Sequence, residues 1–82
     1  MNAFGEKIKK LRLEKKLTLR ELANISGLSY SFIGSLERGG FKPSRDSIHH
    51  LSKALNNEES ELLMLAGFMP NDSAELLIQL SK

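Results

Sequence analysis

Apolar side chains recur along this chain at helical rather than alternating spacing. Phe4, Ile8 and Leu11 fall at i, i+4 and i+7, with Lys7, Lys9, Lys10 and Glu14 on other faces. This predicts an amphipathic helix over Ala3 to Lys16 with a narrow apolar stripe, off which Leu13 falls toward solvent. Thr18 is followed three residues later by Glu21, the spacing at which hydroxyl and carboxylate satisfy the orphan amides of a helix start. Leu22 and Ala23 then fit a short second helix that stops at Gly27, where a positive φ costs no steric penalty. Ser29 caps a third helix whose apolar face is Phe32, Ile33 and Leu36, running to Arg38 and ended by Gly39-Gly40.

Gly40 to Ser44 reads as a loop. Ser44 is the cap of a fourth helix to about Leu55, in which Ile48, Leu51, Ser52 and Leu55 repeat at helical spacing. Asn56-Asn57 breaks it. Glu58 to Ala66 forms a fifth helix with Leu62, Leu63 and Leu65 apolar and Gly67 beyond its end, and Pro70-Asn71-Asp72 is a turn before a short sixth helix, Ser73 to Leu80. No segment alternates with period two, so the fold class is all-α. The second and third helices, each of about two turns and joined by a tight turn, form a helix-turn-helix. The expected division is residues 1–69 as the helical domain and 70–82 as a C-terminal helical segment.

Length and composition narrow the function classes. The 82 residues allow one small domain. The absence of cysteine removes disulfides, thiolate metal sites and thiol nucleophiles, and is compatible with a reducing cytosol. No apolar run approaches the ~18 residues of a membrane span, and the N-terminus lacks a secretory h-region, so a cytoplasmic, membrane-free protein is expected. The formal charge of +2 conceals an asymmetry. Met1 to Arg45 holds ten Lys and Arg against four Asp and Glu, whereas Asp46 to Lys82 holds two against six. The first half can therefore present a positive face to a polyanion, although a Lys-rich solvated surface gives the same count.

Chemistry beyond binding finds little support. His49 and His50 are adjacent, so on a helix they point apart and cannot chelate one metal; Asp46 and His50 at i, i+4 make a weak solvated pair. Gly34, Gly39 and Gly40 follow no strand, which excludes a phosphate-loop or dinucleotide signature. No enzyme, metal or cofactor is expected.

One string carries a family likeness: Leu22-Ala23, Gly27-Leu28-Ser29, Ile33, Leu36-Glu37-Arg38-Gly39 and Pro43-Ser44. Phe4 to Ile8, Leu11-Arg12, Leu51 and Ala54-Leu55 extend it over roughly residues 3 to 67. The chain resembles the phage repressor/Cro-type (XRE-like) helix-turn-helix family. The spacing also makes physical sense by itself: Ala23 is small where the two helices approach, Gly27 permits the turn, and Ile33 and Leu36 seal the angle.

The resemblance implies a compact five-helix lambda-repressor-like DNA-binding domain whose helix from about Ser29 to Arg38 lies in the major groove of double-stranded DNA. Its base-reading positions fall on Tyr30, Ser31 and Ser35, with Ser29 close by. Its phosphate contacts fall on the helix start at Thr18 and Leu19, on Arg38 and Lys42, and on the loop around Phe41 and Ser44. Many members carry Gln where Leu19 stands, so Arg20 is the candidate to compensate, and Arg45 is a further one. Members often place Gln, Asn or Arg on the reading helix; here serine hydroxyls discriminate bases poorly, so direct readout should be thin and DNA shape or water important. Gly34 admits two readings, close approach to DNA or drift on an exposed surface. Arg12 and Glu37 stand where the family forms a salt bridge between the first helix and the end of the reading helix.

Leu62, Leu65, Phe68, Met69, Leu76, Leu77, Ile78 and Leu80 exceed what a five-helix core obviously needs. They complete that core, or form a homodimer interface, since repressors of this kind read two half-sites, or belong to a longer protein whose remaining part oligomerises or senses a signal. The leading reading is a palindrome-binding repressor in a bacterial or phage-infected cell. The alternative is an antitoxin or adaptor of the same fold whose main partner is another protein, met through the C-terminal half.

Overall fold

In a computed structural model, residues 2–68 are described and form five helices without a strand among them. They are α1 (Ala3–Glu14), α2 (Leu19–Ser26), α3 (Tyr30–Arg38), α4 (Arg45–Leu55) and α5 (Glu59–Leu65). The expected sixth helix, Ser73 to Leu80, lies outside the described residues.

Caps set the boundaries. Thr18 and Glu21 form the reciprocal box, with the Thr18 N–H 2.8 Å from Glu21 Oε1 and the Glu21 N–H 3.0 Å from Thr18 Oγ1. Ser29 and Ser44 accept from the Phe32 and Ser47 amides and so start α3 and α4. The first helix stops at Glu14, two residues short of the expected Lys16. There the Lys16 and Leu17 amides turn back to the Leu13 and Arg12 carbonyls, with Lys16 itself at φ 58°. The α2–α3 turn closes through Gly27 at φ 77°, and the Ser26 hydroxyl accepts from the Leu28 N–H at 3.2 Å. Gly27 fits because a left-handed residue with a Cβ costs roughly 1–2 kcal/mol.

Every helix contributes to one core: Phe4 and Ile8, Leu22, Ile33 and Leu36, Ile48, Leu51 and Leu55, then Leu62 and Leu63. Each such side chain is worth roughly 1.5–3 kcal/mol on burial. In α5 the inward pair is Leu62 and Leu63, while Leu65 is turned outward. As expected, Leu13 is exposed.

The N-terminus of α1 docks on the C-terminal end of α3. Asn2 caps α1 by accepting from the Gly5 N–H at 3.1 Å, and its amide donates to the Glu37 carbonyl at 2.8 Å. Gly5 is what lets the two backbones meet: a Cβ there would run into the Leu36 carbonyl oxygen and the Asn2 side chain. Ten residues after Asn2, the Arg12 guanidinium grips the Glu37 carboxylate. Glu37 thus fixes α3 through both its backbone and its side chain.

Candidate nucleic-acid interface

The register of α3 decides what faces out. Ile33 and Leu36 are turned into the core, which leaves Tyr30 and Ser31 exposed and Ser35 half-buried along the opposite edge. The Ser29 hydroxyl already accepts from the Phe32 amide, which leaves its proton and a second lone pair to offer at the helix start. Tyr30 is the large side chain at the start of this edge and Arg38 the one at its end.

Gly34 does not lie on the exposed edge as its position in the helix suggested; it is buried. A Cβ at this position would sit 3.8 Å from Leu19 Cδ1 and 3.3 Å from Arg38 Nη1. The Arg38 side chain of the same helix and Leu19 of α2 cover it, and at 3.8 Å the α2 neighbour leaves room for a methyl group. Leu19, Tyr30, Ser31, Gly34, Ser35 and Arg38 together line a shallow groove of about 200 Å³.

One guanidinium group lines that groove and a second stands beside it, in a neighbouring cleft shared by Leu19 and Tyr30. Arg20 stands over the Tyr30 ring, its central carbon 4.8 Å from the centroid. Arg38 reaches back along α3 to within 3.4 Å of the Ser35 hydroxyl. Beside them, the capping box uses the amides of Thr18 and Glu21 and leaves those of Leu19 and Arg20 without an intrahelical partner. A helix start with free amides and a positive dipole end favours an anion. Leu19 itself is half-buried against the core and contributes its backbone only.

The loop residues are arranged differently. Phe41 is exposed and its ring lies 6.0 Å from that of Phe32, extending the apolar border of α3. Ser44 caps α4 and also bonds Ser47 Oγ at 2.8 Å, leaving the Arg45 and Asp46 amides open. Lys42 and Arg45 both stand over the Phe68 ring, at 5.3 and 5.1 Å. The sequence-predicted cations therefore form two groups, Arg20 and Arg38 around the groove and Lys42 and Arg45 around Phe68.

Arg12 and Glu37 form the expected bridge, through Arg12 Nε to Glu37 Oε2 at 2.7 Å and a second guanidinium nitrogen to Oε1 at 3.0 Å. The remaining guanidinium edge donates to the Leu17 carbonyl at 2.9 Å. These hydrogen bonds to Glu37 raise the Arg12 pKa above its ordinary value. Both side chains are largely buried, so the pair positions α3.

The Arg20–Tyr30 stack, the His49–Glu59 contact of 2.7 Å between α4 and the start of α5, and the Asn2 bridge were not evident from sequence. Asn2 alone left a trace, as a capping residue ahead of Gly5. The other two depend on how helices cross. His50 pairs with Asp46 at 3.4 Å, as expected for a solvated i, i+4 pair. Among the described residues no group of three metal-ligating side chains is assembled, and no helix is long and apolar enough to cross a membrane.

Residues 5–68 match the family model described as a helix-turn-helix domain. The chain belongs to that family. It is similar to the HTH-type transcriptional repressor RghR of Bacillus subtilis, 39% identical over 72 residues that cover 84% of this chain and 52% of that protein. The immunity repressor protein of Bacillus phage phi105 is 31% identical over 71 residues, covering 87% of this chain and 49% of that one. The chain spans about half the length of these curated relatives.

Solved structures agree. The restriction-modification controller protein C.AhdI from Aeromonas hydrophila superposes with a TM-score of 0.71 at 39% identity, over 74% of this chain and 92% of that one. The biofilm master regulator SinR, solved in complex with DNA, gives 0.69 at 34% identity, over 73% and 97%. The family resemblance and the all-α fold read from the sequence both hold. The relatives it matches are named as repressors and regulators, and the matched domain is a binding fold.

Proposed function

We propose that this helix-turn-helix protein is a repressor-type transcriptional regulator that binds a two-fold operator in duplex DNA as a homodimer, with α3 in the major groove. The observation that carries the reading is the shared groove. Leu19 from the start of α2 and the polar edge of α3 line it, with Arg38 at one side and Arg20 standing over Tyr30. In such a pose Tyr30, Ser31 and Ser35, with Ser29 beside them, meet base edges. Thr18, Leu19, Arg20, Arg38, Phe41, Lys42 and Ser44 meet phosphates through side chains or backbone amides. The major groove is ~12 Å wide and admits one helix, and two half-sites one helical turn apart call for two copies. The related repressors and the SinR complex with DNA support this assignment. Residues 1–69 form the binding unit in this reading, and residues 70–82 supply part of the dimer contact. The protein acts where the DNA is, in the cytoplasm of a bacterium or phage-infected cell, by occupying its operator.

Selection from a random duplex pool with the full chain tests the whole reading. A two-fold symmetric sequence should be enriched, and its affinity should fall with salt at a logarithmic slope of about −0.9 per neutralised phosphate. Failure to retain any duplex in dilute buffer would rule the reading out.

A second reading is an antitoxin or adaptor whose main partner is a protein. The exposed Met64 and Leu65, flanked by Glu58, Ser60 and Glu61, favour it as an apolar patch with an acidic rim. Co-purification of a partner that shields Met64, with no duplex affinity, would select it.

A further inference from the structure

The geometry points to Arg20 as a positioning residue for base readout, which sets the orientation of Tyr30 while its own charged edge meets the DNA backbone. This rests on the proposed DNA-binding function and assigns Arg20 a role beyond a phosphate contact. Tyr30 opens α3 and is 47% exposed, so core packing leaves its ring a choice of rotamers. The neighbouring serines on the exposed edge are too short to confine it. What stands over the ring is the Arg20 guanidinium, 4.8 Å from the centroid, projecting from the first turn of α2. A guanidinium that stacks through its face keeps its N–H edge free for a second partner. The backbone amides beside it mark where an anion would sit.

The two functions are therefore coupled. A phosphate held at the α2 start fixes Arg20, and Arg20 fixes the one aromatic ring on the exposed α3 edge. Leu19 reinforces the division of labour, because its apolar side chain offers the phosphate nothing and packs on the core instead. Tyr30 should then read a thymine methyl or a base edge from one orientation rather than several. An Arg at position 20 is not replaceable by Lys here, since an ammonium lacks the planar face.

The chain contains one Tyr and no Trp, so tyrosine near-ultraviolet circular dichroism reports Tyr30 alone. The unaltered chain, Arg20→Ala, Arg20→Lys and Tyr30→Phe are compared for that signal where the phenol remains, and all for a base-substitution scan of the selected duplex. Far-ultraviolet circular dichroism serves as the control for folding. In Arg20→Ala the tyrosine signal should weaken and the preference at the base pair read by Tyr30 should fall about two- to five-fold, equal to ~0.5–1 kcal/mol. Arg20→Lys should keep the salt slope yet lose that preference, and Tyr30→Phe should keep the preference that depends on the ring. If Arg20→Ala weakens all sequences equally and leaves the tyrosine signal unchanged, the positioning role is refuted while DNA binding stands. If the unaltered chain shows no base preference, the DNA-reading assignment fails and this inference with it.

Discussion

The Glu37 carboxylate is held by Arg12 through two hydrogen bonds of 2.7 and 3.0 Å, while the carbonyl of the same residue accepts from Asn2 at 2.8 Å. Residues near both ends of α1 thereby grip one residue near the end of α3. Removing one member strands a largely buried charge. Glu37→Ala should cost about 3 kcal/mol, read as a fall in the urea midpoint at unchanged slope. Replacing both residues, Arg12→Met with Glu37→Leu, should recover much of that loss, because no unpaired charge then remains.

The same pair predicts a pH response. Bonding to Glu37 raises the Arg12 pKa, so the folded state binds that proton more tightly than the unfolded chain. The stability from this shift is fully present below the ordinary arginine value and is lost only as pH climbs through the raised one. Urea titrations between neutral and moderately alkaline pH should show no loss attributable to Arg12.

Two glycines in helices should respond to alanine with opposite signs. In Gly5→Ala the new methyl meets the Leu36 carbonyl, which is backbone and cannot yield, so stability should drop by about 1–3 kcal/mol. In Gly34→Ala the tightest neighbour is the far end of Arg38 at 3.3 Å, which can swing away. The better helix propensity should then add roughly 0.5–1 kcal/mol. Thermal unfolding of the two variants side by side checks the contrast.

Helix caps make a third, smaller contribution. Thr18→Ala removes one half of a reciprocal pair and should lower stability by about 1 kcal/mol. Ser44→Ala should do the same at α4. Losses under ~0.3 kcal/mol for both in chemical denaturation would show that tertiary packing alone sets these boundaries.

Phosphate contacts should be recognisable by what they leave unchanged. Arg38→Ala and Lys42→Ala are each expected to weaken duplex binding by similar factors across sequences and to reduce the salt slope by about one. A loss confined to one base pair would instead make either residue a base reader.

What was legible in the sequence was local. Thr18 with Glu21, then Ser29, Ser44 and Gly27, mark helix ends through contacts spanning a few residues, and each appears in the fold where the pattern put it. The Arg12–Glu37 bridge became visible only through the family likeness. Gly34 was misplaced because helical periodicity says which way a residue points and nothing about which side chains, here Arg38 and Leu19, fold over it. The Arg20–Tyr30 stack and the His49–Glu59 contact join residues ten apart on different helices, so no window of regular spacing contains them.

The serine at position 31 is exposed and lies outside the buried core. A scaffold with so modest an outward edge can be re-aimed cheaply. In the proposed pose, Gln introduced there would offer a two-pronged adenine contact with little demand on the interior. Lineages built on this frame can therefore drift from one target sequence to another without first surviving an unstable ancestor.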